Sequence, residues 1–478
     1  MKLVRLIQDI TKVNITSPDI EITGIAYDSR KVKPGDLFVC IKGAIFDGHR
    51  YLLEAKERGA LAAVVEDYRD LDIIQVKVDN ARLALAKLAN RFYDFPSKKL
   101  ILIGITGTNG KTTTSYLVRE IFKEAGFKTG LIGTIEYIIG DTGYPVVHTT
   151  PESADLQKLL KSMVDNKVQV AVMEVSSHAI CMQRINGTKF SAMVFTNLSQ
   201  DHLDFHKDME SYFRAKLKLF SKSHGQQDHI NVDDLYGQKL AQISKNPQIN
   251  YSITNNAEVL AKEINLSPHK TSFKLCFGGQ EVLISNNLVG NFNVYNCLAA
   301  SACAISQKVS LNSIKKGLEL LKSVPGRFES IKEGQDFSVI VDYAHTPDGL
   351  EKILDTAKQT TNGRIILVFG AGGDRDKAKR EVMGRVACQK SDMSIITSDN
   401  PRSEDKEDII KDIVKGFENN NYQIEPDRRK AIRKALDAAK AEDVVIIAGK
   451  GHEQYQIFKD KTVHFSDQEE AREYLKSR

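Results

Sequence analysis

Seven consecutive residues, Gly107-Thr108-Asn109-Gly110-Lys111-Thr112-Thr113, combine two glycines, one lysine and small hydrogen-bonding side chains. Glycines let backbone N–H groups converge, a following helix start adds positive potential and the lysine adds a full charge, so the natural occupant is a polyphosphate. The usual phosphate loop is GxxxxGK[ST]; its first glycine would fall at Ile105 here, so TGTNGKTT is a variant of that pattern. A structural reading, a tight strand-to-helix connection, competes with the chemical one. Lys111 followed by two threonines favours the chemical one.

The flanking elements fit that reading. The apolar run Leu100 to Ile105 predicts a strand, and Tyr116, Leu117, Ile121 and Phe122 on one face predict a helix beginning just after Lys111. Beyond it, apolar runs alternate with helical patterns: "VQVAVMEV", "FSAMVFTNL", the helical "NLVGNFNVYNCLAASACAI", then "FSVIVDY", "RIILVFG", "DMSIITS" and "DVVIIAG". Such alternation predicts mostly parallel sheets covered by helices, with ligands gathered beyond the carboxyl ends of the strands. Polar clusters follow nearly every run: Glu174 to His178, Asn197 with Asp201 and His202, Asp342 to His345, Gly372 to Arg375, Asp399 to Arg402, and Gly449 to Glu453. A merely structural sheet has no need of them.

A polyphosphate site calls for Mg²⁺, which prefers a carboxylate, a hydroxyl and waters. Thr112 or Thr113 and Glu174 are the donors within reach. Two further residues read ambiguously. His202 in "DHLDFH" lacks the spacing of a zinc site and suits a structural hydrogen-bonder, while Lys216, between apolar neighbours in "SYFRAKLKLF", suits a lysine snorkelling from a buried helix face.

Length and composition bound the rest. The 478 residues suit about three domains. Charged residues at 27% and hydrophobic ones at 41% describe an ordinary folded protein. A net charge of +5 without a basic block, no Trp and 7% aromatic residues give no support to a nucleic-acid motor. Six cysteines without CxxC spacing read as reduced core thiols, and neither a signal core nor a membrane-length apolar run is present in the sequence. The expectation is a cytoplasmic monomer that takes anionic metabolites, with no nucleic-acid partner and no membrane insertion. Domain junctions are predicted near residue 98, where Pro96 and two lysines precede the strand, and near 329, after "SVPGRF". The fold class is therefore α/β with three domains: 1–98 small and α/β, 99–328 a central phosphate-loop ATPase unit with a mostly parallel sheet, and 329–478 Rossmann-like.

TGTNGKTT, "MEVSSHA", "TNLSQDHLDFH", "AKLKLF", "GNFNVYNCLAA", "VPGRFE" and "DYAHTPDGL" stand in one order over more than two hundred residues. The whole set resembles the Mur ligase family of ATP-dependent amide-forming enzymes. The additional "YDSRKVKPGDLFVCIKG", "HTTP", "DNPR" and "GKGHE" resemble the branch that adds the third residue of the peptidoglycan stem peptide. That resemblance implies ATP phosphates on Gly107 to Thr113, with Asn296 near the adenine and Arg327 and Asp342 reaching the nucleotide from the domain junction. It implies Mg²⁺ held by Thr112, Glu174 and His202, and a second ion on Lys216 as a carbamate, which displaces the snorkelling reading. Tyr27, Ser29 and Ala44 would contact uridine diphosphate; Thr149, Thr150, Ser176 and Arg184 would hold the muramoyl-dipeptide. Arg375, Asp399, Asn400, Pro401, Arg402, Gly449 and Glu453 would form the amino-acid pocket, where Arg402 can clamp the distal carboxylate that meso-diaminopimelate has and L-lysine lacks. A bland alternative pairs Arg402 with Glu404 or Asp405.

Two places depart from the pattern. Glu381 replaces the usual proline after "DKAKR", and Asp228 to Ser267 carries few clear signals. The nearest rival of the same plan, a folylpolyglutamate synthetase, should lack the N-terminal uridine-binding unit and DNPR. A nucleotide-gated binding module is the rival from another class.

Overall fold

The computed structural model describes residues 1–10, 20–43, 46–221 and 224–477, and it forms three α/β units in chain order. The first is built on four strands in sequential order, Gly24–Ala26, Asp36–Val39, Ala62–Val65 and Ile74–Lys77, all parallel. Its helix Ala81–Phe92 starts where the Asn80 side chain accepts a hydrogen bond from the Leu83 amide, and it buries Leu85, Leu88 and three alanines on one face.

The central sheet runs Asp228–Ile230, Ala192–Phe195, Ile101–Thr106, Val170–Glu174, Thr129–Ile132, Tyr137–Ile139 and Thr142–Tyr144. Its first five strands are parallel and its last two antiparallel. The chain leaves Ile101–Thr106 for one side of the sheet and later returns on the other, so the phosphate-loop candidate sits at a topological switch point. Register makes the strand ends level: Ile105 pairs with Glu174 and Thr106 with Phe195. The helix after the loop, Lys111–Glu124, buries Leu117, Val118, Ile121 and Phe122 completely, each worth roughly 1.5–3 kcal/mol against exposure. The helix Asn291–Ser306 is buried almost all round, in keeping with its run of alanines and cysteines.

One feature was not legible in the sequence. The weakly patterned stretch after Asp228 leads into a second sheet, Tyr251–Ser252, Val259–Leu266, Thr271–Phe277 and Gln280–Asn286, whose last three strands form an antiparallel meander. Val259–Leu266 buries only its first and third residues fully and carries a register shift between Lys262 and Asn265, which dilutes the alternation expected of a half-buried strand.

The third unit has the order Glu329–Ile331, Ser338–Asp342, Val444–Ala448, Ile365–Phe369, Met393–Ile396 and Tyr422–Ile424, parallel except at its first edge, with a separate hairpin of Tyr455–Ile457 and Thr462–His464. Two loops at its strand ends are tied together by Glu404. This carboxylate accepts from the buried Arg380 at 2.9 and 3.0 Å and from the Asp374 amide at 2.6 Å, and the Arg380 pairing draws its pKa down to about 2. Glu381 stands on the same helix as Arg380 but turns to Arg385, 2.9 Å away on the surface.

A folded pKa below the unfolded value gives stability that is full above the unfolded value near 4.3 and is lost as pH falls through about 2. Glu404→Gln should therefore cost about 1–3 kcal/mol in urea melts at pH 7, and the gap to wild type should close as pH approaches 2.

Candidate active site

Gly110 adopts φ +86° and ends the loop at the first turn of Lys111–Glu124, leaving the helix N-terminus facing the cleft. A Cβ at Gly110 would stand 2.4 Å from Asn296 Oδ1, so Asn296 lies directly against the loop, where it also accepts from Thr114 Oγ1 at 3.2 Å. Gly110→Ala is thus both strained and obstructed. It should raise the KM for ATP at least tenfold with little change in the KM for the amino acid, as read from initial-rate titrations.

Two lysines meet at this loop, Lys111 half-buried and Lys216 fully buried. Lys111 Nζ donates to the carbonyls of Gly107 at 3.0 Å and Thr108 at 2.9 Å, and Lys216 Nζ donates to the same Gly107 carbonyl at 3.0 Å. Neither forms an ion pair with a carboxylate among the described residues. Burial is the main force holding both ammonium groups below their usual range, and Lys111 adds repulsion at Lys216. Lys216 therefore does not snorkel: its side chain is buried beneath the loop, with Nζ 4.7 Å from the centre of the Tyr212 ring.

Glu174, fully buried at its strand end, accepts from Thr112 Oγ1 at 2.9 Å, Thr134 Oγ1 at 3.0 Å and the Thr134 amide at 2.9 Å. A threonine hydroxyl beside a carboxylate at a phosphate-binding turn is a hard-oxygen donor set that suits Mg²⁺, which takes its remaining ligands from phosphate and water. Among the described residues no group of three or more His, Cys, Asp or Glu side chains is gathered for a metal. His202, at φ +55°, stands 3.4 Å from Asp201 with its ring 4.8 Å from that of His178. Burial holds the His202 imidazole well below its usual range despite Asp201, and the neighbouring His202, His345 and Lys379 draw the Asp201 carboxyl down against its own burial.

From Glu174 a polar chain runs toward the first unit. Thr149 Oγ1 lies 3.1 Å from Thr134 Oγ1; Thr150 donates to the Glu174 carbonyl at 2.9 Å and accepts from the Ser176 amide at 3.1 Å. Arg184 donates to the Thr150 carbonyl at 3.0 Å and to Glu152 at 2.8 Å, and Glu152 also takes Arg82 of the first unit at 3.1 Å. Tyr27 donates to Asp155 in the same junction, whereas Ser29 is turned to Glu54 at 2.8 Å within its own unit. Ala44 lies outside the described residues.

The third unit closes over the loop from the other side. Arg327 donates to Thr112 Oγ1 at 3.0 Å and stacks 4.4 Å from the Tyr343 ring centre, and Asp342 accepts from the Phe328 and Ala344 amides at 2.6 and 2.7 Å. Asp348 accepts from Asn109 at 2.6 Å and Ser199 at 3.1 Å, while His345 and Lys379 come within 3.8 and 3.9 Å of Asp201. A cavity of about 600 Å³ lies between the units, lined by the loop, Glu174, His202, Asn296, Arg327 and Asp342 among others.

Tyr343 links this cavity to a second polar cluster, its hydroxyl 3.5 Å from Glu453. There Asn400 donates to Glu453 at 2.9 Å, and a Cβ on Gly449 would stand 2.7 Å from the Asp399 carboxylate. Arg402, at φ +52°, donates to the carbonyls of Gly373 at 2.7 Å and Asn400 at 3.5 Å; it forms no ion pair with Glu404 or Asp405, since Glu404 belongs to Arg380 and Lys377. The Pro401 carbonyl lies against Gly373, and among the described residues Arg375 donates to the Asp374 carbonyl, at 2.9 Å. Thr134, Asp348 and Lys379 were not singled out from the sequence, and Lys450 entered only as a member of the strand-end cluster Gly449 to Glu453, with no role of its own. Thr134 follows a strand end, so the strand-end rule could have found it; Asp348 and Lys379 show their place only once the units are docked.

Three family models match along the chain: the Mur ligase family catalytic domain over residues 21–93, the Mur ligase middle domain over 105–304, and the Mur ligase, glutamate ligase domain over 326–451. The UDP-N-acetylmuramoyl-L-alanyl-D-glutamate--2,6-diaminopimelate ligase of Clostridium botulinum is 48% identical over 463 residues, 95% of each chain. The corresponding ligase 1 of Clostridium acetobutylicum is 46% identical over 482 residues, covering 100% of this chain and 99% of its own. A solved structure of a UDP-N-acetylmuramoyl-L-alanyl-D-glutamate--2,6-diaminopimelate ligase superposes with a TM-score of 0.70 at 30% identity, covering 100% of this chain and 99% of that one. Matches that take in all three units in order, with relatives similar from end to end, show that the chain belongs to the Mur ligase family.

Proposed function

We propose that this chain joins meso-2,6-diaminopimelate to UDP-N-acetylmuramoyl-L-alanyl-D-glutamate at the expense of ATP, as a cytoplasmic monomer in peptidoglycan precursor synthesis. The observation that carries the ligase reading is the half-buried Lys111 folded onto the Gly107 and Thr108 carbonyls above the fully buried Lys216, with no ion pair to either among the described residues. The Lys111 ammonium left in that state is stabilised by an anion, and a polyphosphate supplies several negative charges at once, whereas burial disfavours the ammonium form of Lys216, which suits a lysine that becomes a carbamate. The names of the relatives supply the substrates, and Arg402, which forms no ion pair with a carboxylate among the described residues, supports a second carboxylate on the amino acid.

In this reading the carboxylate of the D-glutamate residue attacks the γ-phosphate of ATP, giving an acyl phosphate and ADP; the amino group then attacks the acyl carbon, phosphate leaves, and the amine proton is lost as the amide forms. Lys111 offsets charge on the transferring phosphoryl group, and the helix N-terminus orients the β-phosphate. Thr112 and Glu174 would hold Mg²⁺, with His202 nearby and a carbamylated Lys216 holding a second ion; bound there, the metal would neutralise phosphate charge. Thr149, Thr150, Ser176 and Arg184 lie between the loop and the first unit, where a muramoyl-peptide would stretch from Tyr27 and Ser29 to the γ-phosphate. The contacts of Arg327, Asp348 and Lys379 favour closure of the third unit, which excludes water from the acyl phosphate. Domain limits of 1–98, 99–328 and 329–478 suit this division of labour.

The test is ATP-dependent phosphate release with the UDP-muramoyl-dipeptide and either meso-diaminopimelate or L-lysine, with products identified by mass. A tripeptide product formed only with diaminopimelate is expected. Turnover with lysine alone would overturn the amino-acid assignment, and silence with both would overturn the ligase reading.

A further inference from the structure

A lysine that neither the phosphate site nor the proposed amino-acid contacts account for sits beneath the second cluster. Lys450 is fully buried, between Gly449 and Gly451, and its Nζ donates to Asn400 Oδ1 at 3.1 Å and to Glu453 Oε2 at 3.1 Å, with Asp399 Oδ1 3.9 Å away. Burying an ammonium is costly before pairing, so a lysine here is a poor device for stability alone. Its partners follow two strands, Val444–Ala448 and Met393–Ile396, that flank Ile365–Phe369 in the sheet.

We propose that Lys450 is a positioning residue that commits one oxygen of Glu453 and leaves the other presented to an ammonium group of the incoming diamino acid. The geometry separates the two oxygens. Oε2 is held by Lys450 and by Asn400 Nδ2 at 2.9 Å, whereas among the described residues Oε1 has only the long 3.5 Å approach of the Tyr343 hydroxyl. Asn400 is itself fixed, because its Oδ1 accepts from the Ile457 amide at 2.9 Å as well as from Lys450. Charge points the same way. Asp399 and Glu453 bring two negative charges, Lys450 returns one, and the charge of Arg428 is already paired with Asp467 at 2.7 and 2.8 Å. One unit of negative charge is left on this side of the pocket, suited to one ammonium, while Arg402 and Arg375 offer positive charge for a carboxylate. Without Lys450 the two acids would repel each other and Glu453 would turn.

This inference rests on the amino-acid ligase reading above. The experiment compares the wild-type enzyme with Lys450→Met, Lys450→Gln, Glu453→Gln and the Lys450→Met/Glu453→Gln double variant, in steady-state titrations of meso-diaminopimelate and of ATP. Lys450→Met should raise the KM for diaminopimelate about 10–100-fold while the KM for ATP stays within twofold, with Lys450→Gln between it and wild type. The double variant should be no worse than Glu453→Gln, since both changes remove one arrangement. Multiplying effects in the double variant, an unchanged KM for diaminopimelate, or a fall in kcat alone would overturn the role of Lys450. Should Lys450→Met not fold, Lys450→Gln alone and with Glu453→Gln carries the same comparison. A wild type that forms no amide with diaminopimelate would overturn the ligase reading itself, a result distinct from any difference among the variants.

Discussion

Lys111→Met should lower kcat for ATP-dependent phosphate release by about 10³-fold while raising the thermal midpoint or leaving it unchanged. The first part follows from position. Lys111 opens the helix Lys111–Glu124, and its ammonium is folded across the loop onto the Gly107 and Thr108 carbonyls, ready to exchange two neutral acceptors for phosphate oxygens. Those oxygens gain negative charge in the phosphoryl-transfer transition state, so the interaction is stronger there than in the ground state and its loss falls on kcat. The second part follows from the crowding of charge. Lys216 shares the Gly107 carbonyl, and the Lys111 ammonium adds to the burial that disfavours charge on Lys216, so removing Lys111 relieves the free protein. Lys111→Arg should not restore the rate, because a planar guanidinium cannot occupy the place of a compact ammonium between two carbonyls of one turn. A kcat within tenfold of wild type, measured at saturating ATP, would refute the assignment of Lys111 to the transferring phosphoryl group.

How much of this was legible in the sequence varies with the kind of interaction. The loop and its flanking strand and helix were plain, because a long apolar strand, two glycines and a period-3.6 helix face are local signals. Glu174 was found by its place at a strand end, which the register sets level with the start of the loop. Lys216 shows the opposite limit. Its neighbours Tyr212 and Phe213 mark a buried helix face, but only the tertiary fold reveals that the lysine points beneath the loop rather than out along the surface. The meander after Tyr251 escaped notice because edge-exposed strands with a register shift lose the two-residue period. The contacts made by Asp348, Lys379 and Lys450 depend on how separate strand ends and separate units are set against one another, which spacing in one chain does not encode.

Arg402→Met should reduce kcat/KM for meso-diaminopimelate by about 10²–10³-fold and change that for L-lysine only a few-fold. The left-handed backbone at Arg402 and the 3.1 Å bond from its amide to the Ile457 carbonyl fix the direction in which the side chain leaves the turn. One guanidinium nitrogen is anchored on the Gly373 carbonyl at 2.7 Å, and no carboxylate of the described residues neutralises the group, although Glu404 lies two residues away. Arg380 and Lys377 hold that glutamate, so the bland pairing is pre-empted and the positive charge remains for a ligand. A distal carboxylate would meet the remaining donors in the two-pronged geometry that a guanidinium offers and an ammonium does not, and Arg402→Lys should therefore recover only part of the loss. The comparison of the two amino acids decides what the arginine does. If both lose activity equally, the bond to Gly373 is holding the loop and recognition lies elsewhere. If only diaminopimelate suffers, the charge that the fold has kept unpaired at Arg402 is what separates a diamino dicarboxylate from a diamino monocarboxylate.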